Sequence, residues 1–141
     1  MKRLSRAVTV LVMTFMLIAS FAPMANAVIT TIAIPANQVW TSGYGAPRSL
    51  EYSYAGARCI AVYPLQGIDN FRKIQCALFT RNSVNIGFAS YYVLTEGATV
   101  YTPVKIKEGY LDETVTLFKF RGNSNSAAEA RVDYTGSYNF G

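Results

Sequence analysis

The sequence predicts an all-β protein, a small antiparallel β-sandwich, with a β-barrel as the alternative architecture. Three observations carry this. The chain beyond Ala27 is rich in β-branched and aromatic residues and holds all 10 tyrosines and the only tryptophan, a composition that suits pleated, half-buried strands. Short stretches of period-two alternation recur along it. Clusters of Gly, Pro and Asn separate those stretches. About eight short strands in one domain is the content of a sandwich or barrel. The sandwich is preferred because the second faces of the strands are half polar and need solvent rather than another layer.

A leader precedes this domain. Lys2, Arg3 and Arg6 form a basic start, residues 8–21 are almost wholly apolar, Pro23 breaks the run, and Ala25-Asn26-Ala27 supplies a small-x-small cleavage site. The expectation is a signal peptide of bacterial type over residues 1–27 and a single secreted β-domain over residues 28–141, enough chain for one core. No second apolar run is long enough to span a bilayer as a helix, so no transmembrane segment is expected in the mature chain. Residues 134–141 carry no apolar tail, and no cysteine follows the cleavage site. Release from the cell or non-covalent retention outside it is the expected localisation.

The formal net charge of +5 overstates the basicity of the domain. Of 13 Lys and Arg residues three lie in the leader, which leaves ten against 8 Asp and Glu. These charges are scattered, and a nucleic-acid partner needs a concentrated basic footprint. Nucleic acid is therefore excluded from the expected partners.

Taken in order, Val28–Ile34 reads as a first strand closed by Pro35, and residues 37–42 as a second around Trp40. Gly43-Tyr44-Gly45-Ala46-Pro47 reads as a loop. Residues 48–55 read as a strand with Leu50, Tyr52 and Tyr54 on one face. Residues 57–63 and 71–80 read as a hairpin turning near Gly67 and Ile68, which sets Cys59 opposite Cys76. Residues 87–94 form the next strand. Residues 99–107 alternate most clearly, with Val100, Thr102, Val104 and Ile106 to one side and Tyr101, Pro103, Lys105 and Lys107 to the other. Pro103 lacks an N–H, so this strand lies at an edge or is interrupted there, and the exposed lysines discourage edge-to-edge pairing. Residues 114–121 place Thr116, Phe118 and Phe120 on one face. In residues 127–134, the alternation of Ala130, Val132 and Tyr134 favours strand over a helical turn.

In an exported chain, two cysteines facing each other across a hairpin favour a disulfide. The expected bridge is Cys59–Cys76, closing a loop worth about 3 kcal/mol in the chain-entropy account.

Little in the sequence points to catalysis. There is no histidine, which removes the commonest general base and the Ser-His-Asp and Cys-His arrangements. Two cysteines cannot fill a zinc site. Glu108, Asp112 and Glu113 match no calcium-loop spacing and read as a solvated acidic turn. No metal or cofactor is expected, and the chain is read as a non-enzyme.

The aromatic residues remain. Tyr44, in a glycine-flanked loop, and Tyr101, opposite the apolar face of its strand, are the expected surface rings and the candidate ligand-binding residues, because an exposed ring with a polar handle stacks on sugars or anchors an interface. The functional expectation is a secreted non-enzymatic binding or structural protein of the bacterial envelope or extracellular space. Its partner would be a cell-wall glycan or another extracellular protein, or a second copy of itself in a homo-oligomer. A secreted antimicrobial or pore-forming toxin is one alternative, and a histidine-free carboxylate hydrolase is another.

Overall fold

A computed structural model describes residues 27–65 and 71–140 of the chain. The leader through residue 26 and the expected turn centre near Gly67 and Ile68 lie outside the described residues. Strands form where apolar and polar residues alternate. β1 (Val28–Ile34), β3 (Tyr54–Pro64), β6 (Thr102–Lys105) and β8 (Ala128–Tyr138) make one antiparallel sheet in the order β1-β8-β3-β6. β2 (Tyr44–Pro47), β4 (Lys73–Phe79), β5 (Tyr92–Thr95) and β7 (Val115–Gly122) make the second, in the order β2-β7-β4-β5. The two sheets, hereafter sheet A and sheet B, face each other as a β-sandwich over one core.

Every second residue supplies that core. Ile32 and Ile34 of β1, Ala130, Val132 and Tyr134 of β8, Ile74, Cys76 and Leu78 of β4, and Phe118 and Phe120 of β7 are all buried. Burying each large aliphatic or aromatic side chain contributes about 1.5–3 kcal/mol. The Tyr134 ring from sheet A sits 5.4 Å from Phe118 and 6.0 Å from Phe120 of sheet B, so aromatic contacts join the layers.

The disulfide-linked hairpin is not present. β3 pairs with β6 and β8, whereas β4 pairs with β5 and β7. The chain therefore crosses between layers where a hairpin was expected. Cys59 lies opposite Val132, and Cys76 opposite Phe120 and Tyr92. Both are buried, unbonded thiols.

Other boundaries also differ from expectation. Residues 37–42 form no strand: Asn37 and Gln38 take left-handed backbone angles, with φ of 61° and 56°, which breaks any ladder there. Only Thr41 joins β7, exchanging bonds with Phe120 through its amide and hydroxyl. The segment read as a loop is instead the edge strand β2, where a proline is tolerated. Residues 48–53 form no strand and β3 begins at Tyr54. Strand β5 starts at Tyr92, later than expected. β6 is shorter than its alternation suggested, and Val100 is 72% exposed instead of inward.

Buried Arg48 fixes the irregular segment after β2. Its guanidinium donates to the carbonyls of Tyr52 at 2.6 Å, Glu113 at 3.1 Å, Gly136 at 3.2 Å and Tyr110 at 3.4 Å. Burial lowers its pKa, partly offset by Glu113. One side of the sandwich is stitched shut. Gly97 and Ala98, just past β5, donate to Ile60 and Cys59 of β3. Residues 85–88 bridge β4 to Ile106, just past β6, through Phe79–Asn85 and Gly87–Ile106. Among the described residues, no segment covers the free edge of β1 on the other side.

Candidate functional site

The outer face of sheet B is built by the residues that alternate with its core. The register sets Gln75 of β4 beside Val93 of β5 and Arg121 of β7, Ala77 beside Lys119, and Phe79 beside Leu117. Phe118 and Phe120 point inward, so Lys119 and Arg121 must point outward. Trp40 reaches this face because its neighbour Thr41 is tied to Phe120.

These side chains form a row of aromatic rings and cations. Arg121 lies 5.2 Å from the centre of the Tyr91 ring and 4.4 Å from that of Trp40. Trp40 meets Phe79 edge-on at 6.0 Å, and Lys119 sits 4.8 Å over Phe79. Each cation–ring contact contributes about 0.5–1 kcal/mol where solvent reaches it. The Arg121 Nε donates to Gln75 Oε1 at 2.6 Å, and the Gln75 amide donates to Asn123 Oδ1 at 2.9 Å. The guanidinium is thus held in place before any ligand arrives.

Electrostatically the face is one-sided. Lys73, Lys119 and Arg121 stand on it, and none of the four strands of sheet B contains Asp or Glu. The ion pairs among the described residues, Arg58–Asp133 and Arg72–Glu96, use none of these three cations. Trp40, Lys119 and Arg121 are half-buried, whereas Tyr91 and Val93 are each 43% exposed. The arrangement presents aromatic rings, an oriented guanidinium and two ammonium groups on one sheet surface, with the Gln75 amide buried beneath the guanidinium.

The two tyrosines singled out from sequence lie apart. Tyr44, on β2, is half-buried, with its ring 6.0 Å from Phe120 and 6.5 Å from Tyr134. Tyr101, beside β6 in sheet A, donates its hydroxyl to Asp133 Oδ1 at 2.7 Å. Asp133 in turn accepts from Arg58 Nε at 2.9 Å and pairs with its Nη2 at 2.8 Å. Burial, then the bond to Asp133 and its charge, raises the Tyr101 pKa. Tyr101 and Tyr138 pack edge-on at 5.3 Å above Gly56, where a Cβ would come within 3.1 Å of both. An open cleft of about 420 Å³ lies between Thr80, Arg81, Asn82 and Val84 and residues 113–115, but it holds only one aromatic ring, Tyr110.

The row on sheet B escaped the sequence reading because its members come from β4, β7, a loop and the segment before β5. One signal was available: the strand Val115–Gly122 puts Lys119 and Arg121 on the face opposite Phe118 and Phe120, with no acidic residue between. Comparison with protein-family models, with curated proteins and with solved structures finds no match for this chain.

Proposed function

We propose that the chain is an exported, non-enzymatic binding protein that holds an anionic polysaccharide of the cell envelope against the outer face of sheet B. The supporting observation is the Tyr91–Arg121–Trp40–Phe79–Lys119 row on a sheet whose strands contain no carboxylate. The Tyr91 ring, 43% exposed, offers apolar area to the C–H face of a sugar, and its phenol and the Trp40 indole N–H offer hydrogen bonds to hydroxyls. Lys73 and Lys119 supply point charges for carboxylate or phosphate groups, and Arg121 supplies a planar fork for the same groups. Because the guanidinium is already stacked and bonded to Gln75, little side-chain ordering remains to be done on binding. A flat sheet face suits an extended polymer better than a small molecule, which needs a concave site.

Retention on insoluble glycans tests this. The protein is expected to be retained on a cross-linked polyuronate at low salt, to elute as salt rises, and to pass through a neutral β-glucan. Equal retention on both, or on neither, overturns the proposal.

A further inference from the structure

The four edges of the two sheets are not treated alike. β6 ends sheet A with four residues that include Pro103 and Lys105. β2 ends sheet B with four residues that include Pro47, and β5 ends it with four residues before the chain crosses to β3. Short length, proline, lysine and covering chain are the devices that stop edges from pairing with foreign strands. β1 has none of them. Its seven residues, Val-Ile-Thr-Thr-Ile-Ala-Ile, carry no charge, no proline and no glycine. They pair with β8 in one unbroken register from Val28–Tyr134 to Ile34–Ala128, with no bulge to twist the strand away. Ile29, Thr31 and Ala33 stand exposed on its outer side, and Ile29 is 54% exposed. Every second residue therefore directs an unpaired N–H and C=O along the free edge.

We infer that the occupant of this edge is β1 of a second copy of the chain, paired antiparallel about a two-fold axis at Thr31. The sequence is self-complementary in that register. Thr31 faces Thr31, Ile29 faces Ala33, Thr30 faces Ile32 and Val28 faces Ile34, so a large side chain meets a small one on the outer side and no like charges meet. Ile32 and Ile34 are buried in each copy, and the inward halves of the two strands make their cores continuous. The product is one sheet in the order β6-β3-β8-β1-β1-β8-β3-β6, with its bare edges abolished and each sheet B left free. The inference does not rest on glycan binding, which uses the other layer.

Sedimentation of the exported protein over a wide concentration range tests it, beside the double substitution Ile29→Lys with Ala33→Lys. In the single copy these lysines fall opposite Asp133 and Glu129, so folding is retained, which circular dichroism checks. In the dimer each lysine faces another across the axis, and association is expected to weaken by at least about tenfold. A reversible monomer–dimer equilibrium abolished by the double substitution, and unchanged by Trp40→Ala, is the expected result. A monomer throughout, up to about 1 mM, overturns the inference, as does a dimer indifferent to the two lysines.

Discussion

Arg121 lies 4.4 Å from the ring centre of Trp40, with its Nε bonded to Gln75. The only tryptophan of the chain is thus covered by a cation that its own sheet holds still. Replacing Arg121 with Ala uncovers the indole while leaving the inward face of β7 intact. The expected outcome is a red-shifted tryptophan emission with a stability change within about 0.5–1 kcal/mol. Affinity for a soluble anionic oligosaccharide, read by the same fluorescence, should fall about tenfold, because the fork that receives the acidic group is gone. An unchanged emission spectrum would contradict the contact.

Asp133 spends one carboxylate oxygen on Tyr101 and the other on Arg58. Its side chain is 4% exposed. Asp133→Ala leaves the Tyr101 phenol without its acceptor and the Arg58 guanidinium without its carboxylate, bonded only to the Ala98 and Thr99 carbonyls, and the expected loss is about 2–4 kcal/mol by urea unfolding. Adding Arg58→Met should restore part of it, since the unpaired cation is removed. A double variant no better than Asp133→Ala would show that the ion pair is not what the carboxylate supports.

Gly136 marks the closest approach between β8 and the end of β2. A Cβ there would run into the carbonyls of Ala46 and Pro47 and lie 2.8 Å from Arg48 Cγ. Gly136→Ala is expected to cost about 2–3 kcal/mol, seen as a lowered thermal midpoint. Gly45→Ala meets nothing within 4 Å and should stay within about 0.5 kcal/mol of the parent. Equal effects at both positions would argue against the packing described.

The thiols give a pH signature. Burial, with a smaller contribution from Glu96, pushes Cys59 up to about 11, and burial alone raises Cys76 further. Above about pH 8.5 an unfolded thiol loses its proton while these two keep theirs, so the folded state binds more protons. Stability is therefore fully present below that pH and falls as pH rises toward 11. The raised Tyr101 and Tyr134 act in the same direction at higher pH. Urea midpoints measured across this range should decline, and less steeply in Cys59→Ala. Thiol reagent should find two reactive groups after unfolding and almost none before.

The local pattern made much of the fold readable. β1 and β7, and β8 through Tyr134, fall where alternation put them, because one face of each is apolar and the other meets solvent. Pairing was harder to read. Symmetry of residues 57–63 and 71–80 about Gly67 suggested a hairpin, yet both strands carry small or apolar residues that fit opposite layers equally well, and their partners β6, β7 and β8 lie far along the chain. The expected Cys59–Cys76 bridge fell with that pairing. β2 was hidden because its glycine and proline signal a loop, and only the proximity of β7 makes it a strand. The aromatic row was hidden for a related reason: alternation places Lys119 and Arg121 on one face, but says nothing of Trp40, which arrives through the tie between Thr41 and Phe120.

The most direct test of the central claim is a residue-by-residue map of ligand contact. Uniformly nitrogen-15-labelled protein, titrated with a soluble acidic oligosaccharide, should show its largest amide shifts along β4 and β7 around Gln75, Lys119 and Arg121, together with the Trp40 indole N–H and the Arg121 Nε–H. Shifts confined to sheet A or the cleft near Arg81, or none at saturating ligand, would contradict the assignment of the outer face of sheet B as the binding surface.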